Sequence, residues 1–303
     1  MEFAQAFSPG HVTGLFSIHE SDNPLASGSL GAGFCLSEGM TSSVEFHHGS
    51  EDLFILNSET SLELPVSRNV VKHFFRRVGQ KRKSFFTIRH STRLPVGCGF
   101  GTSGAGALSL SLALNALYGN PLSFLEAATL AHVVEVELKT GLGTVIGETF
   151  GGFEIREAPG APGVGRLANF SYDKDLNAVF LVYGPLSTST VLKSPSIKDR
   201  INLAGATLRQ ELQNDPSVEK FLRLSQEFTY QSGLLPNRLL GVVEALARSE
   251  ITASMLMFGD GLFTLVPSAR LEQTLSAFRL FRGAGNVFSC LIDPEGGHVT
   301  DVH

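Results

Sequence analysis

A dense run of glycine, residues 97–106, is the feature that most constrains this chain. It reads Gly-Cys-Gly-Phe-Gly-Thr-Ser-Gly-Ala-Gly and leads directly into segment 107–117, which is rich in Ala and Leu and is predicted to be a helix. Glycines let a backbone turn tightly and approach a ligand closely, and the first turn of a helix adds positive potential. The run is therefore expected to bind an anion such as phosphate, with a ligand-free tight turn as the alternative.

Three common phosphate-binding motifs do not fit this run. The spacing of Gly99, Gly101 and Gly104 matches the dinucleotide fingerprint, but the segment from Ser123 is predicted to be a second helix, so no βαβ unit closes. A Walker loop ends in Gly-Lys-Ser/Thr, and the run contains no lysine. The His-Arg-Asp and Asp-Phe-Gly elements of protein kinases are absent from the sequence.

Segment 95–105, here called the phosphate loop, reads Pro-x-x-x-Gly-x-Gly-Thr-Ser-Gly-Ala. It resembles the phosphate loop of the GHMP small-molecule kinases, Pro-x-x-x-Gly-Leu-Gly-Ser-Ser-Ala. Segments 8–14 and 254–263 stand where that family has its other two motifs, so the resemblance covers the whole chain in the right order. Further pieces resemble one branch of the family, the kinases of a small hydroxy acid, and they are residues 9–14, 28–33, 139–143, 151–156 and 255–259.

The resemblance implies an α+β fold of two domains, which we place at residues 1–165 and 166–303. The first would be an α/β domain that carries the phosphate loop, and the second a ferredoxin-like domain. The boundary is placed near the Pro- and Gly-rich segment 158–165. ATP and its acceptor would meet in the cleft between the two domains.

The pattern of apolar residues predicts a mixture of helices and strands. Helices are expected at 67–78, 107–117, 123–139, 197–212, 218–231, 238–248 and 271–281. Strands are expected at 44–47, 53–56, 85–90, 149–157, 178–183, 255–258, 262–266 and 287–291. Segment 27–33 is predicted to be a glycine-rich loop, and the first 20 residues are predicted to form two short β runs around Ser8-Pro9-Gly10.

Segment 123–139 is apolar on nearly every face, so its helix is expected to be buried and to carry Glu135 into the interior. The alternative is a pair of His132 and Glu135 near the helix end, with the carboxylate reaching solvent. In GHMP kinases a serine of the phosphate loop and a glutamate of the next helix hold Mg²⁺ on the ATP phosphates. The resemblance therefore implies Ser103 and Glu135 as metal ligands, a set small enough for Mg²⁺ because phosphate and water complete its shell.

The resemblance also implies which residues of the phosphate loop contact the ATP phosphates: Pro95, Gly97, Gly99, Gly101, Thr102, Ser103, Gly104 and Ala105. The catalytic residues would be Ser103, Glu135 and the residue after Gly-Leu-Gly, which is Asp in many members but Thr144 here. Threonine cannot act as a general base near neutral pH. Either Thr144 orients the acceptor hydroxyl, which we predict, or Glu148, four residues on, replaces the missing carboxylate.

An acceptor carboxylate would need a cationic partner, and a planar guanidinium binds carboxylates through two parallel hydrogen bonds. By resemblance, Arg156 would bind the carboxylate, with Ser29 and His132 supporting the acceptor. Arg166 is a second, weaker candidate. For each arginine the alternative is an ordinary surface side chain.

Composition narrows the class of protein. With 24 Lys and Arg against 29 Asp and Glu, the net charge is −5, which argues against a nucleic-acid binder. We find no signal peptide and no apolar stretch of the roughly 20 residues a membrane span needs, so a cytoplasmic protein is expected. The three cysteines make no disulfide framework. The expected partners are ATP and a small acceptor, without nucleic acid or membrane, and a homodimer is allowed.

The expected reaction is transfer of the ATP γ-phosphate to the primary hydroxyl of a small hydroxy acid, with Mg²⁺. Two alternatives stay open at this point. The chain could be another GHMP kinase that acts on homoserine, mevalonate or a sugar. It could also be a non-catalytic nucleotide-binding protein on the same fold, since Thr144 stands where many members have Asp.

Overall fold

A computed structural model describes residues 2–60, 63–80, 82, 84–186 and 195–303 of the chain. Its first sheet is built on two long antiparallel strands that pair along most of their length, and its order is β12-β1-β2-β5-β3-β4, with β6 pairing both β2 and β7. The eight strands are β1 (Phe3–His19), β2 (Gly28–His47), β3 (Leu53–Leu56), β4 (Glu59–Thr60), β5 (Phe85–Ser91), β6 (Phe153–Ala158), β7 (Arg166–Phe170) and β12 (His298–Val302).

The second sheet has four antiparallel strands in the order β11-β8-β10-β9. They are β8 (Leu176–Pro185), β9 (Ser254–Met255), β10 (Gly259–Pro267) and β11 (Asn286–Leu291). Helices fill the connections from β8 to β9 and from β10 to β11, so this region follows the β-α-β-β-α-β pattern. The predicted α+β fold, with a ferredoxin-like second half, is therefore confirmed.

The helices of the described residues are α1 (Pro65–Val78), α2 (Thr102–Leu117), α3 (Phe124–Leu138), α4 (Thr144–Phe150), α5 (Pro195–Asn214), α6 (Val218–Ser232), α7 (Asn237–Ala247) and α8 (Leu271–Arg279). Helix α2 is buried on almost every side, and α3 starts with a capping box formed by Ser123 and Glu126. Within the described residues, no helix combines the length and the apolar character needed to cross a bilayer.

The two sheets share a hydrophobic core that fixes their relative position. The ring of Phe34 on β2 packs against Phe153 on β6, Phe221 on α6 and Phe263 on β10, with centroids 5.1, 5.9 and 5.6 Å away. A second core lies between the first sheet and helices α1–α3. The aromatic contacts bring the second sheet and its helices against the early part of β2, close to the phosphate loop.

Several local predictions were wrong. Segment 27–33 lies largely in β2, and the first 20 residues form one strand instead of two. Helix α2 starts at Thr102 rather than at 107. The strand predicted at 149–157 begins only at Phe153, because α4 occupies residues 144–150. Strands β7 and β12 were not predicted at all. The glycines of β2 misled the prediction because they leave space for neighbouring groups: a Cβ at Gly31 would lie 2.2 Å from the Leu15 carbonyl oxygen. The division at residue 165 stays a prediction, and β7 and β12 beyond it belong to the first sheet.

Candidate active site

The phosphate loop reaches α2 through three residues with left-handed backbone. Gly97, Gly99 and Gly101 have φ of +76°, +88° and +64°, a region that only glycine adopts without strain. Gly101 caps α2, and residues 102–105 form the first turn of the helix. A Cβ at Gly99 would lie 2.6 Å from the carbonyl oxygen of Met257, so the loop passes directly against the second half of the chain. The N–H groups of this helix end thus lie where the sequence predicts an anion site.

A buried carboxylate stands beside this first turn. The Ser103 hydroxyl donates a 2.6 Å hydrogen bond to Glu135 Oε1, and the Thr140 hydroxyl donates one of 2.8 Å to the same oxygen. Glu135 is only 2 % exposed, and burial raises the pKa of its carboxyl although both hydroxyls lower it. The predicted partners Ser103 and Glu135 are thus brought together, and Glu135 does not reach solvent as the alternative required.

These oxygens suit a hard cation. Magnesium prefers one or two protein oxygens and takes its remaining ligands from phosphate and water. Among the residues that the structure describes, no group of three or more His, Cys, Asp and Glu side chains could hold a metal alone. Ser103 and Glu135 offer the small oxygen set that Mg²⁺ bound to a nucleotide requires, and a cation there would lower the carboxyl pKa that burial raises.

Thr144 and Glu148 lie one turn apart on α4, against the start of α2. A Cβ at Gly104 would be 2.7 Å from Thr144 Oγ1 and 2.6 Å from Glu148 Oε2, so both side chains occupy the space that this glycine leaves. Glu148 is fully buried, while Thr144 is half-buried. Burial, and then the charge of Glu135, raise the pKa of the Glu148 carboxyl well above its usual value. Its protonated form is therefore favoured over the form that an exposed glutamate adopts.

Arg156 on β6 is 1 % exposed, contrary to the surface alternative. Its Nη1 donates to Glu154 Oε1 at 3.0 Å and to the Gly143 carbonyl oxygen at 3.4 Å. Its Nε and Nη2 are buried and have no hydrogen-bond partner within the described part of the chain. Nε–H and one N–H of Nη2 point the same way from the guanidinium, which is the fork that binds both oxygens of a carboxylate.

The other predicted acceptor residues differ in placement. Ser29 is buried beside Arg156's partner Gly143, since a Cβ on Gly143 would lie 2.1 Å from Ser29 Oγ. His132 is also buried, but its Nε2 donates to the carbonyl oxygens of Ser27 at 3.0 Å and Pro24 at 3.3 Å. Burial lowers the pKa of this imidazole. In this structure His132 thus holds the backbone before β2, and any support of the acceptor stays a prediction.

Arg166 is not brought to this group. Its side chain is 70 % exposed and its Nε donates to Glu157 Oε2 at 2.8 Å, which matches the surface alternative. Three neighbours of the site were missed from the sequence, namely Thr140, Glu154 and His11. Only Glu154 carried a signal, because it lies two residues before Arg156 on a predicted strand and so shares its face.

Comparison with known proteins finds relatives that match this chain over most of its length. Residues 66–152 match the sequence model described as GHMP kinases N terminal domain. A pantoate kinase of Methanocaldococcus jannaschii is 32 % identical over 90 % of this chain and 96 % of its own length. A pantoate kinase of Thermococcus kodakarensis is 35 % identical over 89 % of each chain. A solved structure titled "Phosphotransferase related to CoA biosynthesis pathway" is 31 % identical, covers 98 % of both chains and superposes with a TM-score of 0.87.

Proposed function

The chain belongs to the GHMP kinase family, and on that premise we propose that it phosphorylates pantoate to 4-phosphopantoate with ATP, in coenzyme A biosynthesis. It is an ATP-dependent small-molecule kinase. The pantoate kinases among its relatives, each covered over most of its length, support this acceptor over homoserine, mevalonate or a sugar.

The observation that carries the proposal is the free edge of Arg156. Pantoate has one carboxylate and one primary hydroxyl, so its site needs a cationic fork at a short distance from the phosphate loop. Arg156 offers Nε and Nη2 without a hydrogen-bond partner among the residues that the structure describes, and its Nη1 contacts the carbonyl oxygen of Gly143. The next residue, Thr144, lies against Gly104 of the loop. Because Gly143 and Thr144 are adjacent in sequence, the candidate carboxylate site and the candidate phosphate site are neighbours.

We assign each group a task on this basis. The N–H groups of the phosphate loop and the start of α2 bind the ATP phosphates. Ser103 Oγ and the Glu135 carboxylate would hold Mg²⁺, which when bound neutralises charge on the phosphates. Thr140 keeps the Glu135 carboxylate oriented through its 2.8 Å hydrogen bond.

Thr144 orients the acceptor hydroxyl by hydrogen bonding. Phosphoryl transfer passes through a loose transition state, so positioning and charge stabilisation contribute more than proton removal. A carboxylate in place of Thr144 is therefore not required for turnover. This reasoning favours an active kinase over a non-catalytic nucleotide-binding protein.

The test is ATP consumption with Mg²⁺ in the presence and absence of pantoate, with identification of 4-phosphopantoate. Homoserine, mevalonate and galactose serve as matched acceptors in the same assay. We expect turnover that depends on pantoate and exceeds that with each other acceptor at least tenfold. ATP binding without turnover on any acceptor would overturn the proposal in favour of a non-catalytic role.

We also propose a cytoplasmic location. Cys35, Cys98 and Cys290 are all buried free thiols, which fits a reducing compartment, as does the use of ATP.

A further inference from the structure

Three ionisable side chains form a buried group beneath β1, β2 and β6. His11 Nε2 lies 3.0 Å from Glu154 Oε1, and Arg156 Nη1 donates to the same oxygen at 3.0 Å. His11, Glu154 and Arg156 are each no more than 1 % exposed. One carboxylate oxygen thus holds both the imidazole and the guanidinium.

The space for this group is made by glycines on neighbouring elements. A Cβ at Gly33 would lie 2.6 Å from His11 Nε2, and one at Gly147 would lie 2.9 Å from the same atom. A Cβ at Gly31 would lie 3.1 Å from Arg156 Nη2. Any side chain at Gly31 or Gly33 would therefore crowd the guanidinium or the imidazole.

Stability alone is a poor reason for such an arrangement. A buried ion pair gains little over well-packed apolar residues, because desolvation offsets the attraction. Here Arg156 Nε, Arg156 Nη2 and Glu154 Oε2 also have no hydrogen-bond partner in the described residues, and unsatisfied buried groups are costly. The two nitrogens belong to one edge of the guanidinium, so a single carboxylate would satisfy both.

We propose that Glu154 and His11 are positioning residues, which hold Arg156 by Nη1 so that its Nε–Nη2 edge is fixed towards the acceptor carboxylate. This inference rests on the proposed function. Glu154 accepts the hydrogen bond from Nη1 and leaves the N–H groups of Nε and Nη2 available for the acceptor carboxylate. His11 contacts the same oxygen of Glu154 and fixes its position. With hydrogen on Nε2, the His11 ring donates to Glu154, and its Nδ1 lies 3.4 Å from the Thr13 hydroxyl.

A positioning role for Glu154 predicts a result that simple compensation of the Arg156 charge does not. Glu154→Asp keeps the negative charge but withdraws the oxygens by one methylene, so the guanidinium loses its fixed position. The readout is the ratio of kcat/KM for pantoate to that for its neutral amide, which has the same hydroxyl. We expect Glu154→Asp to lower this ratio at least tenfold through the KM for pantoate, with the KM for ATP changed less than twofold.

Glu157→Asp is the matched control, because Glu157 lies on the same strand and pairs with the exposed Arg166. It should leave the ratio unchanged. His11→Asn should lower the ratio about threefold in the same direction, and it decides the matter alone if thermal melting shows that Glu154→Asp does not fold.

The outcomes distinguish a failure of the proposed function from a failure of the positioning role. If the unmodified enzyme does not turn over pantoate, the proposed function is wrong. If it does, and the ratio in the folded Glu154→Asp and His11→Asn enzymes equals that of the unmodified enzyme, Glu154 and His11 only compensate charge and the positioning role is refuted. Equal losses for pantoate and ATP would refute it as well, because they indicate a general structural defect.

Discussion

The two sides of the candidate site, the phosphate loop and β6, are built to bind negatively charged groups in opposite ways. At the phosphate loop the protein supplies mainly backbone N–H groups, one hydroxyl, Ser103, and one carboxylate, Glu135, whose pKa is raised by burial. At β6 it supplies a guanidinium, Arg156, that is already buried and paired with Glu154. Phosphates that bind together with a cation can be held by backbone N–H dipoles and one carboxylate that binds the cation. An acceptor carboxylate that binds without a cation needs a positively charged side chain of the protein.

The largest effect is expected on the β6 side. Arg156→Ala should raise the KM for pantoate much more than the KM for ATP, because loss of one partner of a desolvated charge pair costs roughly 2–5 kcal/mol, on the order of 30-fold or more. Steady-state kinetics with each substrate varied in turn measures this split.

Arg156→Lys is the informative companion, since it retains the charge and loses the fork. It should keep a positive charge beside Glu154, while the KM for pantoate stays raised. Arg166→Ala is the surface control and should behave like the unmodified enzyme. If Arg156→Ala changed the two Michaelis constants equally, the carboxylate site would lie elsewhere.

On the loop side, Glu135→Gln removes the charge of the proposed metal ligand but keeps the shape of the side chain. We expect kcat to fall at least tenfold with the fold intact, measured at saturating Mg²⁺ and checked by thermal melting. Glu126→Gln on the same helix is an exposed control with little effect on kcat. Turnover equal to the unmodified enzyme would remove Glu135 from the catalytic group.

The loop side was the more predictable from sequence. Its glycines, Ser103 and the apolar helix around Glu135 form local patterns with a clear physical meaning, and the structure does bring Ser103 to Glu135. The fold was predicted because the resemblance covers the whole chain. The roles of the individual site residues stay predictions.

The β6 side was harder to predict because its contacts join residues that are far apart in the sequence. Gly31 and Gly33 suggested a loop, yet they lie in β2, where missing side chains admit Arg156 and His11 from β6 and β1. The pairing of His11 with Glu154 joins residues 143 positions apart. Neither spacing nor periodicity can indicate such a contact, and strand register decides it.

A difference between the two sides should also appear in the pH dependence of stability. Burial raises the folded-state pKa of Glu135 above its usual 4.5, so without metal its contribution is full below that value and is lost as pH rises through the folded pKa. The Mg²⁺–nucleotide complex needs the ionised form. The gain in Tm caused by Mg²⁺ with a non-hydrolysable ATP analogue should therefore grow as pH rises above 4.5.

Glu148 has a raised pKa too, so the comparison that isolates Glu135 is the unmodified enzyme against Glu135→Gln over the same pH range. The variant should show a flatter dependence of the Mg²⁺-induced gain. An identical dependence in both proteins would mean that Glu135 does not ionise on binding the metal.

The smallest effects are expected where the two sides meet, at Thr144 and Glu148 on α4. Thr144→Val removes a hydroxyl that can orient the acceptor, so kcat on pantoate should fall several-fold. Glu148→Gln should keep most of the activity, because burial raises the pKa of this carboxyl well above its usual value and so disfavours the ionised form, and Gln has nearly its size and shape. A general base has to be ionised before it accepts a proton, and burial against Gly101 and Gly104 opposes this in Glu148. Measured as kcat on pantoate at saturating ATP, the reverse ranking would assign the acceptor proton to Glu148 and leave Thr144 with a packing role.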